Sequence, residues 1–463
     1  MSHKYPLIAA AVAAAFASSY ADAIPTLTQA ASPAASLVIA GSSAAQSGLF
    51  SAIEADLCGG AANALVVKSA GGSANFLAVS CALSTAVGGT PGIPANSIIT
   101  VYYRTEGGSV VGALPVVSGK QIKRLNLADT SCSAVGNTGT CSISGTTSTS
   151  GTVDSWTGAV TEDTVQLGVT DVEPAQLTNL DYPSNYSSAI FGSASPAQLA
   201  TLTKSSQKLF QQVFGLAVNT ASGSFLPTTA ASGALPGVSS INLSKEAAAN
   251  ILQGNYTDWN QVAGPTGSGI ASSTSHITRI DREPGSGTRT ATNIYFLNYQ
   301  CGASVGITNQ SGEQLNFSTA DELTQANGIP GAIAYTSIDQ ILNPANGTKW
   351  SNLALVQING TAPSTLNAAT GLYDFWFEAT LVPNVTANTA SANLVTYIEG
   401  NVPTLAKAPA SPDVNVIPNV AGNTATVPLA INAAANAGTT KAVYVNPFTR
   451  GGNSCSVPGE ANE

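Results

Sequence analysis

A layered α/β protein with parallel strands is the fold class that this 463-residue sequence predicts. One unit, seen three times, carries the prediction. Leu37-Val38-Ile39-Ala40 is a short apolar run that stops at Gly41-Ser42-Ser43, and an Ala-rich, helix-compatible stretch follows over 44–57. Leu65-Val66-Val67 runs into Ser69-Ala70-Gly71-Gly72-Ser73, with 74–83 reading as a helix. Ile277-Thr278-Arg279-Ile280 leads to Gly285-Ser286-Gly287-Thr288 and a helix-like run over 290–299. Strand, Gly/Ser turn, helix in succession is the pattern of alternating α/β layers. Ligands in open sheets of this kind gather at the carboxyl ends of strands, where all three turns fall.

Composition narrows the partners. Charged residues make up only 9%, the formal net charge is −9, and no long basic run occurs. A nucleic acid or an anionic membrane surface is therefore not an expected partner. An acidic chain still binds an anion where a buried site uses local dipoles. Residues 1–23 read as a secretory signal: Lys4 supplies the charged start, 7–17 the apolar core, and Ala21-Asp22-Ala23 the cleavage site. Later runs fall short of the ~18 apolar residues a membrane span needs. The expected product is an exported, periplasmic or secreted monomer without membrane insertion, long enough for two lobes.

Cysteines and remaining segments complete the outline. Export permits disulfides among Cys58, Cys81, Cys132, Cys141, Cys301 and Cys455. Six cysteines allow many pairings; proximity favours Cys58–Cys81 and Cys132–Cys141, leaving Cys301–Cys455. None has zinc-site or redox-motif spacing, so structural staples are the reading. From 84 to about 160 Gly, Thr and Ser dominate, around strand-like Ile98–Tyr103. The stretch Tyr102-Tyr103-Arg104-Thr105-Glu106-Gly107-Gly108-Ser109 is read as a hairpin turn, the alternative being a loop that reaches a ligand. Strand-like 165–169 leads to Asp171. Ser195-Pro196 opens a helix expected to run to about Phe214, before an apolar strand over 215–218. Ser244 opens another, stopped by Gly254. Late strands are expected at 331–335 and 442–445.

The turn at Gly285 has a definite chemistry. A Gly-Ser-Gly-Thr helix start leaves backbone N–H groups without intrahelical partners, at the positive end of the helix dipole. An anion is its natural guest. Arg282, four residues before Ser286, offers a planar fork to the same ligand. Each candidate also has a plain structural reading. Ser43 and Ser73 suit helix caps, Asp171 an Asx turn before Pro174, Arg282 a surface ion pair, and Trp259 simple packing.

The order of motifs resembles a family, the periplasmic phosphate-binding proteins of ABC importers, within the two-lobed (type II) periplasmic binding proteins. The matching pieces are Ile39-Ala40-Gly41-Ser42-Ser43, Ser69-Ala70-Gly71-Gly72-Ser73, Gly168-Val169-Thr170-Asp171, the stretch 243–260 ending in Asp258-Trp259-Asn260, Arg282 with Gly285-Ser286-Gly287-Thr288, and Gly331–Tyr335. They cover roughly 37–82 and 165–340. The resemblance implies a two-lobed fold, each lobe a mixed sheet flanked by helices: lobe 1 over 24–215 with an insertion at 84–160, lobe 2 over 216–340, and a return to lobe 1 with a C-terminal extension over 341–463. It also implies a phosphate site in which lobe 1 supplies Ser42, Ser43, Ser73 and Asp171. Lobe 2 supplies Arg282, Ser286, Gly287 and Thr288, and the lobes close over the ligand by a hinge motion. Phosphate keeps a proton near neutral pH, its second pKa being about 6 as in phosphate esters. Asp171 would accept that proton's hydrogen bond and repel fully ionised sulfate. The family usually places an acidic residue just before the Gly-Ser-Gly-Thr run, orienting the arginine; here Pro284 stands there.

Enzymatic chemistry is not expected. His276 is the one histidine beyond the leader, against His-dependent triads and His-rich metal sites. Ser286 is not in a Gly-x-Ser-x-Gly elbow, and the turn lacks a P-loop lysine. No metal or cofactor is expected. Two readings remain. One is a solute-binding protein for phosphate or a similar tetrahedral oxyanion, working with an ABC permease or as a free scavenger. The other is a secreted surface or matrix protein on the same fold that binds no phosphate.

Overall fold

The computed structural model describes residues 24–70, 75–89, 92–145, 154–177, 188–221, 237–262, 276–308, 315–342, 349–384, 389–401, 416–418 and 448–460. The expected leader, Ser73 and the strand expected at 442–445 lie outside the described residues.

The chain opens with α1 (Leu27–Ala31), β1 (Ala35–Gly41) and α2 (Gln46–Asp56). Strands β2 (Leu65–Ala70), β3 (Phe76–Ala82) and β4 (Ile98–Arg104) lead to α3 (Ser109–Ser118). A run of short strands follows: β5 (Gln121–Leu125), β6 (Cys132–Val135), β7 (Thr138–Ser144), β8 (Thr157–Gly158), β9 (Val160–Thr164) and β10 (Leu167–Thr170). Next come α4 (Ser188–Phe191), α5 (Pro196–Ser205) and the long β11 (Gln207–Asn219). The second lobe adds β12 (Val238–Leu243), α6 (Lys245–Leu252), β13 (Thr278–Arg279), α7 (Gly287–Leu297), α8 (Thr319–Gly328) and β14 (Ala332–Ser337). It continues through α9 (Asp339–Leu342), β15 (Leu353–Ile358) and α10 (Thr365–Ala369). The chain then returns through β16 (Trp376–Pro383), α11 (Thr389–Asn401) and β17 (Val416–Pro418), and ends in the hairpin β18 (Phe448–Thr449) and β19 (Gly459–Glu460).

Two mixed sheets meet in one strand. The order β12-β15-β11-β16-β10-β1-β4-β3-β2-β7-β6 runs across both lobes. The first half of β11 pairs with β16, and its second half pairs with β14 and β15. β11 is therefore the first crossing between the lobes, and the stretch from α10 into β16 is the second. The expected boundary at 340 falls before β15, which hydrogen-bonds within the second lobe.

The core follows from alternation. Leu37 and Ile39 of β1 point into a cluster with Leu49 and Ile53 of α2 and Leu394 and Ile398 of α11, all fully buried. Ala40 faces the opposite side, in the cluster that holds Val110 and Leu114 of α3 and Leu199 of α5. Each such burial contributes roughly 1.5–3 kcal/mol. Contact between α3 and the sheet is backbone on backbone. A Cβ on Gly112 would lie 2.5 Å from Val169 O, so only glycine lets the helix come this close.

Several expectations are corrected here. Within the helix expected over 74–83, Phe76–Ala82 form β3 instead, because strands flank them on both sides and both faces are buried. A continuous apolar run of that length fits either element. The helix opened by Ser195, with a Gln198 capping box, stops at Ser205. Residues up to Phe214 belong instead to β11, whose buried aromatic and apolar side chains suit a strand covered on both faces. The stretch Tyr102–Ser109 is no hairpin: it is the end of β4, a turn, and the start of α3. β4 and α3 are thus built into lobe 1, although both fall inside 84–160. The two disulfides favoured by proximity, Cys58–Cys81 and Cys132–Cys141, form, and so does the pair they leave, Cys301–Cys455.

Candidate functional site between the lobes

In lobe 1, β4 and β10 flank β1 and both run parallel to it. Their carboxyl ends lie along one edge, which brings together the turn after Gly41, the turn before Ser109, and Asp171. Ser42, fully buried, donates through Oγ to Asp171 Oδ1, and Ser42 Oγ accepts from Ala45 N–H at 2.9 Å. Tyr103 donates its hydroxyl to Ser42 O at 2.5 Å and holds the turn. Ser109 donates to Asp171 Oδ2 at 3.1 Å and accepts from the Asp171 N–H at 2.9 Å. Asp171 therefore lies inside a ring of hydroxyls, 2% exposed.

Lobe 2 contributes an arginine and two helix starts. Arg282 follows β13 and is 1% exposed. Its Nε donates to Asn316 O at 3.2 Å, Nη2 to Phe317 O at 2.9 Å, and Nη1 to Thr319 Oγ1 at 2.9 Å. Three of the five guanidinium N–H groups are engaged by these oxygens, and Nη1 also faces Glu322. Ser286 caps α7, accepting from Arg289 N–H. The first two N–H groups of the helix, on Gly287 and Thr288, have no intrahelical acceptor. Ser318 caps α8 in the same way. Thr319 and Glu322, three apart on α8, share one helix face. Glu322 Oε2 stands 3.9 Å from Arg282 Nη1, and Oε1 accepts from Tyr335 N–H at 3.1 Å.

The two halves meet directly. Val110 N–H of α3 donates to Gly285 O at 3.1 Å. Ser43 Oγ and Thr319 Oγ1 are 3.0 Å apart, so one chain of hydroxyls links Ser43, Thr319 and Arg282 across the cleft. Gly287 packs against Ser109 and the Asp171 carboxylate. Burial holds the Asp171 carboxyl above the usual carboxylate range, against the pull of Ser42, Ser109, Arg282 and Thr288. Burial also holds Glu322 well above its ordinary range, with the Arg282 charge opposing. Helix starts, hydroxyls and one arginine thus gather beside Asp171, with Glu322 next to the arginine. Such a set can bind a tetrahedral oxyanion.

A family model described as the PBP superfamily domain matches residues 133–398. The chain belongs to the PBP superfamily. The matched range contains Asp171, Arg282, Ser286, Gly287 and Thr288, while Ser42, Ser43 and Ser109 precede it. Solved structures similar to it include a putative phosphate ABC transporter substrate-binding protein with bound phosphate from Clostridium perfringens. That likeness is 12% identical, covers 78% of this chain and 92% of the other, and has a TM-score of 0.41. A phosphate binding protein from Stenotrophomonas maltophilia is similar at 12% identity, over 78% of this chain and 82% of the other, at a TM-score of 0.39. No curated protein matches the chain.

Within this PBP chain the residues expected from sequence divide clearly. Ser42, Ser43, Asp171, Arg282, Ser286, Gly287 and Thr288 are brought together; Ser73 lies outside the described residues. Trp259 packs, fully buried, with its indole N–H on Gly331 O at 2.8 Å. Thr319 and Glu322 have no place among the residues expected from sequence, and Ser109 has one only in the less favoured reading of 102–109 as a loop that reaches a ligand. For Ser109 the Gly107-Gly108-Ser109 turn was a usable signal; for Thr319 and Glu322 there was only a Ser-capped helix. Glu322 is the acid beside Arg282 at a site where Pro284 replaces the acidic residue expected in sequence. Among the described residues no group of three or more His, Cys, Asp or Glu is arranged to hold a metal ion, and no helix is long and apolar enough to cross a membrane.

Proposed function

We propose that this PBP-superfamily protein captures phosphate, or a similar tetrahedral oxyanion, in the cleft between its lobes and does no catalysis on it. Exported by its leader, it would serve an ABC permease or act as a free scavenger. Ser43, Ser109 and Asp171 would hold the anion from lobe 1, with Ser42 orienting Asp171. Arg282, Ser286, Gly287, Thr288 and Thr319 would hold it from lobe 2. The observation that carries this reading is the cross-cleft meeting of Asp171 with the α7 start, beside the buried Arg282. A buried carboxylate among anion-binding donors is wasteful unless the guest brings its own proton, as hydrogen phosphate does.

A second reading has one observation in its favour. The Asp171 carboxylate itself accepts from Ser42 and Ser109, so both its oxygens are satisfied from within the chain, as in a surface or matrix protein that binds no anion. Calorimetry decides between them, titrating phosphate-stripped protein with inorganic phosphate and then sulfate. The capture reading expects saturable one-to-one binding of phosphate and weak or no binding of sulfate. Absence of heat with phosphate at millimolar concentration leaves the second reading standing.

A further inference from the structure

Two consecutive residues of the C-terminal segment are held by opposite lobes. The Ser454 N–H donates to both oxygens of Glu173, at 2.9 and 2.8 Å, and its hydroxyl donates to Oε2. Glu173 follows β10 in lobe 1, two residues after Asp171. Cys455 is disulfide-bonded to Cys301, which follows α7 in lobe 2. Adjacent Cα atoms are only about 3.8 Å apart. One wall of the cleft and the far end of the anion-site helix are thus tethered through a single peptide unit.

Residues just upstream grip both crossings between the lobes. Gln211 of β11 donates to Phe448 O at 2.7 Å, and Lys208 donates to Thr449 Oγ1 at 3.1 Å. Arg450, 8% exposed, donates from Nε to Trp376 O at 3.0 Å and from Nη2 to Asp374 O at 2.9 Å. Its Nη1 donates to Ser456 O at 2.7 Å, and its guanidinium lies 4.4 Å from the Phe377 ring. Glu378 of β16 accepts from Arg450 N–H at 3.3 Å and Gly452 N–H at 2.9 Å. On the lobe 2 side, the Phe448 ring covers Gly371. A hinge bends where φ and ψ are free to change. Here both bending points are hydrogen-bonded to one segment, and that segment is covalently fixed beyond them.

We propose that residues 448–460 form an interlobe clamp, which favours the closed cleft and makes ligand exchange wait until the clamp yields. The proposal rests on the two-lobed capture reading and deepens it. A clamped protein would retain its anion and release it slowly, which suits sequestration better than rapid handing-on. Ligand entry then has to coincide with loss of the Glu173–Ser454 contact, since the disulfide persists in an oxidising compartment.

The test uses the full chain in three forms: native, Cys301→Ser/Cys455→Ser, and Glu173→Gln. Small-angle scattering and hydrogen–deuterium exchange at 207–214 and 373–378 are measured without anion, then with inorganic phosphate. Without phosphate, both variants should have a larger radius of gyration and faster exchange at the two crossings than the native chain. Phosphate should dissociate from them at least about tenfold faster. Glu173→Gln keeps the disulfide, so it decides the matter should the cysteine variant fail to fold. Identical radius and exchange in all soluble forms would overturn the clamp. Failure of every form to bind phosphate would instead sink the capture reading, while scattering and exchange would still report on the clamp.

Discussion

Gly287 touches Asp171 across the cleft so closely that a Cβ on the glycine would lie 2.5 Å from Oδ2 of the carboxylate. The same Cβ would lie 2.0 Å from the Ser109 hydroxyl oxygen. Gly287 has no positive φ, and alanine suits a helix better than glycine does. Gly287→Ala should therefore leave each lobe intact and obstruct only their closure. Overpacking of this kind costs about 1–3 kcal/mol, so phosphate binding should weaken roughly 5- to 150-fold. Calorimetry beside an unchanged circular dichroism spectrum checks this; undiminished affinity would show that the contact is not made on binding.

Asp171→Asn bears on selectivity. The amide keeps the size and can still accept from Ser109, but it no longer repels a fully ionised anion. Preference for phosphate over sulfate should shrink by about 1.5–3 kcal/mol, the range for hydrogen bonds to charged groups. Paired titrations with the two anions measure it. A preference identical to that of the native protein would remove Asp171 from the site.

Arg282→Ala removes the one cation whose fork faces both the α8 start and the cleft. Loss of a buried, hydrogen-bonded charge partner costs about 2–5 kcal/mol. Saturable phosphate binding should disappear at micromolar concentrations. Arg282→Lys should restore little, since an ammonium cannot serve Asn316, Phe317 and Thr319 and still meet an anion.

Glu322 predicts a pH effect on stability. Burial raises its folded pKa well above 4.5. Between the unfolded value and that higher folded value, the native chain holds a proton that the unfolded chain has lost. Stability is thus greatest at the acid end of this window and falls as pH rises through it. Glu322→Gln removes that titration while keeping an acceptor for the Tyr335 N–H. Urea unfolding across pH 4.5 to 8 should show a shallower decline in the variant, by up to about 1.4 kcal/mol per pH unit within the window. Parallel curves would mean that Glu322 stays ionised in the folded chain.

Local rules made the lobe 2 part of the site readable. A Gly-Ser-Gly-Thr start with an arginine four residues upstream carries its own geometry, because capping and orphan N–H groups are properties of one helix end. The lobe 1 part depended on strand order. Ser73 and Ser109 each follow a Gly-Gly pair, but β4, not β2, lies beside β1. That choice places Ser109 on Asp171. Residues 74–83 misled for a related reason: burial on both faces erases the period-two signal of a strand.

By itself, then, the chain determined an α/β protein, its disulfide partners and a serine-capped Gly-Ser-Gly-Thr helix start, since periodicity, spacing and turn chemistry act over a few residues. Tertiary structure alone decided that Ser109 replaces the hairpin expected there, that α8 supplies Thr319 and Glu322, and that a distant C-terminal segment binds both lobes. Those outcomes depend on contacts between residues far apart in the chain, 62 positions for Ser109 with Asp171 and 281 for Glu173 with Ser454. No local pattern encodes such contacts, because their energy exists only once the sheet has chosen its neighbours.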